Sequence, residues 1–278
     1  NLSLSQELLS QTLEIGSLDS SLNEGISFDG VHDLENILLI CSKGGIAIGE
    51  DLLKVADTLR AARKLRKLIF DQVIRPRLSE LLKDVATLPD LQKLLEFGLD
   101  EGGRIADRAS PKLSELRRYR NSVRLQRKDI LQDIIRKYGG LLQDNIISER
   151  YGRPVLAFKA GTSDQIKGMV HDSSASGNTI YVEPQVVISI GNRLAKIDSE
   201  ISDEERRLLA DWSKEVGLNA IVIAHLVEIL LQIEFALSRA RYSKWLNGVP
   251  AILDQEEHSL FEIKDFRHPL LVWNDFHE

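Results

Sequence analysis

The stretch Ile147–Pro184, ISERYGRPVLAFKAGTSDQIKGMVHDSSASGNTIYVEP, decides the fold, because almost everything on either side of it reads as long helix and it does not. Three short apolar runs lie within it: Val155–Lys159, Ile166–His171 and Thr179–Glu183. Gly152, Pro154, Gly161, Gly177 and Pro184 bound these runs, and such residues end regular structure by having too much backbone freedom or too little. Thr179–Glu183 alternates as a half-buried strand requires. The expected fold class is mainly α (α+β): long helices with a small antiparallel β element inserted between them.

Working outward, Ser110-Pro111 supplies an N-cap and a first-turn proline, where the missing N–H costs nothing. From there to Tyr138 no Gly or Pro interrupts the chain, which predicts a helix about 42 Å long at 1.5 Å per residue. Leu113, Leu116, Val123, Ile130 and Ile134 form a thin apolar stripe, and Arg120 and Arg127 fall on it. After Pro184, the residues Val187, Ile190, Leu194, Ile197, Ile201 and Leu208 keep a three–four rhythm, broken only at Glu204, as in the seam of an antiparallel helix pair. Gly217 is expected to interrupt that helix. Leu218–Leu246 reads as a third, greasier helix belonging in the core, ended by Asn247-Gly248.

Toward the N-terminus, Ile48–Ile69 is amphipathic, Pro76 and Pro89 mark breaks or first turns, and Leu4, Leu8 and Leu9 suggest a short helix. In the tail, DQEEHS reads as a turn and LFEIKDF as strand-like. The predicted segments are an N-terminal helical core (1–110), an ascending helix (111–146), the β element (147–184), returning and core helices (185–248) and a new folding unit from 249.

The 278 residues, 43% hydrophobic and 28% charged, describe a globular chain able to bury a core. Cys41 stands alone, so an internal disulfide or a cysteine-based metal site is excluded. No uninterrupted run of the roughly 18–20 apolar residues that a membrane span needs is evident, and no membrane partner is expected. The chain starts at Asn1 with no initiator Met, and a fragment or processed product is expected.

The net charge of −6 argues mildly against a non-specific nucleic-acid binder. Two local patches run the other way. Lys112, Arg117, Arg118, Arg120, Arg124, Arg127 and Lys128 face only Glu115 in sequence, and Arg60, Arg63, Lys64, Arg66, Lys67, Arg75 and Arg77 face only Asp71. Arg117, Arg120, Arg124 and Arg127 recur at helical spacing. They suit either nucleic-acid phosphates or the acids of the returning helix, Glu200–Glu205, and the sequence leaves both open.

Other chemistries are poorly represented. Gly44 and Gly49 have phosphate-loop spacing, but Glu50 and Asp51 follow where a lysine should meet phosphate. The histidines His32, His171, His225, His258, His268 and His277 lack metal spacing, and His225 reads as a core histidine. His171-Asp172 with Ser173, Ser174 and Ser176 lacks a nucleophile elbow and reads as turn chemistry.

At this point the residues resemble a family. IKGMVHDSSASGNTIYVEPQVVISIGNRL (166–194) is very similar to the hallmark of the type-two branch of the MutS family, the bacterial and plastid MutS-two proteins. FGLDEGGRIADRASPKLSELRRYR (97–120) resembles the entry to that family's lever helix, and ARYSKWLNGVPAIL (240–253) with RHPLL (267–271) resembles its passage into an ATPase domain. The opening GISFDG leans toward cyanobacterial and plant members.

The resemblance implies lever helices bearing a clamp-like β part, in a homodimer that couples ATP hydrolysis to binding branched DNA in recombination or repair. It implies a cytoplasmic or plastid location and, in some members, a ribosome or rRNA partner. Many members carry a C-terminal nuclease domain. The chain ends at Glu278 without Walker motifs or that nuclease domain. No catalytic residue and no cofactor is therefore expected in it; ATP and Mg belong to the missing ATPase domain. The expected nucleic-acid contacts are Arg117, Arg120, Arg124 and Arg127, assisted by Arg150, Arg153, Lys159 and Lys167. A helical dimerisation scaffold without nucleic-acid contact is the alternative.

Overall fold

The computed structural model describes residues 2–162, 165–253 and 262–275. The helices are α1 (Leu2–Ser21), α2 (Glu35–Ser42), α3 (Gly49–Ile69), α4 (Pro76–Leu82), α5 (Pro89–Gly98) and α6 (Pro111–Tyr138). Strands β1 (Leu142–Arg150), β2 (Arg153–Lys159), β3 (Gly168–Ser173) and β4 (Thr179–Pro184) follow, then α7 (Gln185–Leu218), α8 (Ala220–Trp245) and α9 (Pro269–Asp275). The chain is mainly helical with one small antiparallel sheet, and it divides into two compact units. One comprises Asn1–Arg104 and Ala210–Glu278, the other Ile105–Leu209.

In the first unit, α3 buries Leu52, Val55, Leu59, Ala62, Leu65 and Ile69, the positions that three- and four-residue steps bring to one face. It packs on α5, while α8 packs on α1, α2 and α4. Pro76 and Pro89 both sit in first turns. Helix α1 is 20 residues long rather than short; Ile15 is fully buried and Asp19 is paired with Arg241 of α8. Gly217 does not interrupt α7, which runs to Leu218.

Helix α8 corrects two expectations. It is long and apolar enough to cross a membrane by length and composition. Its residues Ile223, Leu226, Leu230, Ile233 and Leu237 nevertheless form a buried face within the unit, as in a core helix. The burial is one-sided, however: Ile221 is 87% and Phe235 65% exposed. His225 lies on that open side with its side chain 57% exposed, 3.8 Å from Glu228, and is not a core histidine. In the tail, residues 262–266 form no strand and RHPLLVW leads into α9. The DQEEHS turn and the start of LFEIKDF lie outside the described residues.

The second unit holds the sheet, with strand order β1-β2-β4-β3, each neighbouring pair antiparallel. Four strands stand where three apolar runs were legible. The extra one, β1, is polar and largely exposed apart from Leu142, so it carries little apolar signal. It pairs with β2 through a two-residue turn, Tyr151-Gly152, whose φ angles of 52° and 74° match the left-handed positions of a tight hairpin. Central β2 has Val155, Leu156, Ala157 and Phe158 all buried, the continuous apolar run of a strand covered on both faces. Leu156, Phe158 and Val182 cluster with Leu131 of α6, Leu142 of β1 and Val187 of α7, with Ile130, Ile134 and Tyr138 packed around them. The sheet is thus fixed where α6 ends and α7 begins.

Candidate nucleic-acid interface

Within Ile105–Leu209, α6 and α7 run antiparallel. Ser110 and Arg117 of the early chain meet Glu204 and Glu205, Arg120 meets Asp198, and Leu131 shares a cluster with Val187. The seam residues Val187, Ile190, Leu194, Ile197, Ile201 and Leu208 are all buried.

The break in that seam, Glu204, is a buried carboxylate, 2% exposed. Ser110 Oγ donates to it at 2.8 Å while also capping α6 by accepting the Leu113 N–H. Arg207 donates through Nη2 at 2.7 Å and Nε at 3.2 Å, and Lys112 Nζ lies 3.3 Å away. The hydrogen bonds from Arg207 dominate, and with those from Ser110 and Lys112 they outweigh burial and hold the Glu204 carboxyl down to about 2. One side chain thereby fastens the start of α6 to α7.

The four helix arginines divide into two kinds. Arg117 donates to the Ile105 carbonyl, to Asp107 and to Glu205. Burial opposes its charge, yet the two carboxylates hold its pKa above the ordinary value. Arg120 pairs with Asp198 at 3.4 Å, and its Nε is buried without a partner. These two are struts between the helices, as the acid-pairing alternative requires. Arg124 is exposed and Arg127 half-buried, and neither has an ion pair among the described residues. The flanking Arg118 and Lys128 are exposed and have no partner among the described residues.

On the sheet, Arg150 stacks on the Tyr181 ring at 4.1 Å and reaches Asp172 at 3.3 Å. Arg153 donates both terminal nitrogens to Asn192 of α7 and lies 3.6 Å from Glu183, which is 1% exposed. A side chain at position 191 would crowd this arrangement: a Cβ there comes within 2.9 Å of the Arg153 guanidinium, so Gly191 leaves room for the strut. Lys159 donates to the Gly140 carbonyl at 3.0 Å but is exposed, and Lys167, just before β3, is exposed with no side-chain partner among the described residues. Of the cations named above, Arg118, Arg124, Arg127, Lys128, Lys159 and Lys167 have no carboxylate partner among the described residues. Cations of this kind can meet phosphates without base readout.

Among the described residues, the unit sets no serine against its histidine. The His171 ring bonds Glu183 at 2.9 Å and not a serine, and Ser174 accepts the Thr179 N–H inside the β3–β4 turn. No cluster of potential metal ligands occurs among the described residues. Sequence reasoning missed the Glu204 clasp and the Arg153–Glu183–His171 group. The first had a signal, a glutamate in an apolar seam slot. The second depends on strand register, which no local pattern displays.

No family model matches the chain. An "Endonuclease MutS2" of Synechocystis sp. is 38% identical over 270 residues, covering 97% of this chain and 33% of that protein. Proteins of the same name from Pelotomaculum thermopropionicum and Symbiobacterium thermophilum are 37% and 33% identical, covering 87% and 88% of this chain and 31% of their own lengths. The chain spans about a third of the length of the curated relatives it matches. Its similarity to them covers 87–97% of its own length, and the chain is a MutS2-like relative of these proteins.

Proposed function

We propose that this chain is the lever-and-clamp part of a MutS2-like DNA-binding protein that acts on branched or double-stranded DNA in recombination or repair. In this reading α6 (111–138) is an ascending lever, α7 the returning one, the sheet a clamp-like tip, and the residues from 249 lead into an ATPase domain that binds ATP and Mg. The part itself carries no catalysis, the whole protein works as a cytoplasmic homodimer, and rRNA is the competing partner.

The observation that carries the reading is the division of the α6 cations. Arg117 and Arg120 brace the helix pair, while Arg118, Arg124, Arg127 and Lys128 have no carboxylate partner among the described residues. Of the residues expected from sequence, Arg124, Arg127, Lys159 and Lys167 remain the phosphate contacts. Arg117, Arg120, Arg150 and Arg153 act by holding the unit in shape.

The test is fluorescence anisotropy of the chain with a labelled four-way junction, a duplex and an rRNA hairpin between 50 and 200 mM salt. Replacing Arg118, Arg124, Arg127 and Lys128 by Gln should make the slope of log K against log salt less negative by about 3–4 on duplex, near 0.9 for each phosphate no longer neutralised. An unchanged slope rejects the assignment. Preference for the rRNA hairpin would move the partner to the ribosome.

The scaffold alternative loses its main sequence support, because the seam from Val187 is buried within the chain. The exposed Ile221 and Phe235 of α8 are what still speak for a protein neighbour.

A further inference from the structure

The second basic run, Arg60–Arg77, is not absorbed by this reading. It lies on α3, the turn after it and the start of α4, in the other compact unit. Most of its members are occupied. Arg60 pairs with Asp57 and Glu96, and Arg66 donates to the carbonyls of Val85 and Lys83. Arg75 donates to those of Ile69 and Leu68, and Arg77 pairs with Glu7. Arg63, Lys64 and Lys67 are different: all three are exposed, and none has a partner among the described residues.

The ordinary use of cations late in a helix is to offset its carbonyl end. Here Arg75 already meets the Leu68 and Ile69 carbonyls, and the Phe70 N–H meets that of Arg66. The three cations are not required for that task. At 100° per residue they fall within about 100° of one another on the helix, together with Arg60. Like charges at the 63/67 step destabilise a helix by about 0.2–0.5 kcal/mol, and neither Arg63 nor Lys67 has a carboxylate partner among the described residues.

We propose that Arg63, Lys64 and Lys67 form a second phosphate-contacting surface, which takes the backbone of double-stranded nucleic acid independently of the α6 cations. The occupant follows from the composition of the face. Every exposed side chain between positions 60 and 67 is basic, and the exposed apolar Leu68, Phe70, Val73 and Ile74 lie beyond it. Protein interfaces are depleted in lysine, whereas Lys64 and Lys67 are exposed on this face. Charge alone, one helical turn apart and sequence-blind, suits a polyphosphate strand. The inference rests on the reading that the chain binds nucleic acid, but not on which residues of the other unit touch it.

The test uses the 278-residue chain and a fluorescein-labelled 20-bp duplex, titrated from 50 to 200 mM salt. The variant Arg63→Gln/Lys64→Gln/Lys67→Gln leaves three phosphates without a cation, so its slope should be less negative by about 2.7. Over that fourfold salt range its affinity should fall about 40-fold less than that of the wild type. The charge-conserving Arg63→Lys/Lys64→Arg/Lys67→Arg variant should restore the wild-type slope. A Gln variant with wild-type slope and affinity overturns the proposal while the α6 reading stands. Weakened binding by the charge-conserving variant overturns it too, because shape and not charge would be responsible. Absence of duplex binding by the wild type overturns the reading beneath it.

Discussion

Replacing Glu204 by Gln perturbs the clasp between α6 and α7 while preserving its shape. The carboxyl titrates near 2 in the folded chain against an ordinary 4.5, a difference of about 2.5 units or roughly 3 kcal/mol at 1.36 kcal/mol per unit. Its partners Arg207 and Lys112 are more than half exposed, so solvent screening brings the expected loss to about 2 kcal/mol. That amounts to about 30-fold in a local opening equilibrium. Hydrogen exchange at pH 7 should therefore accelerate by about that factor in peptides covering 105–117 and 200–209, where both helices meet the clasp. Because the folded pKa lies below the unfolded one, the stabilisation is complete above about pH 4.5 and fades as the pH falls toward 2. The difference between wild type and variant in urea midpoint should accordingly shrink to less than half by pH 3. Glu204→Leu completes the apolar seam and should recover most of the loss, since a buried ion replaced by a well-packed hydrophobe is often neutral. Unchanged exchange in Glu204→Gln, or a wild-type-to-variant gap that ignores pH, would refute the reasoning.

Phe158→Ala empties the centre of the sheet's cluster and should cost about 3–5 kcal/mol, read as weakened exchange protection across 142–184. Arg120→Met places an apolar chain on an apolar stripe and removes an unpartnered buried Nε; stability by urea unfolding should change by less than about 1 kcal/mol. Arg153→Met leaves the buried Glu183 carboxylate with His171 alone and should cost about 1–3 kcal/mol, measured as faster exchange in β4 and the first turns of α7. Gly152→Ala, at φ 74°, should destabilise the β1–β2 hairpin by about 1 kcal/mol and be seen as faster exchange in β1.

Much of the architecture was legible because helices announce themselves by period and by their ends. Ser110-Pro111 marked the start of α6, and the rhythm from Val187 marked the face that α7 buries. Strand β1 was not legible, since an exposed edge strand such as QDNII carries no apolar alternation and owes its place to pairing with β2. Helix α8 misled in the opposite sense. Its composition says core on every side, yet packing covers one face, and His225 and Phe235 lie on the other. For the site, a run of arginines reads the same whether its members meet phosphates or carboxylates. Only the antiparallel register, which sets Arg117 against Glu205 and Arg120 against Asp198, separates braces from free cations.

The central claim is that the unpaired cations of α6 lie against nucleic acid, and crosslinking tests it most directly. A photoreactive residue placed singly at 118, 124 or 128 should crosslink to a bound four-way junction at 50 mM salt and cease to do so at 500 mM. A probe at Val55, buried in the other unit, should not crosslink under either condition. Junction bound with undiminished affinity, yet never captured from 118, 124 or 128, would contradict the account.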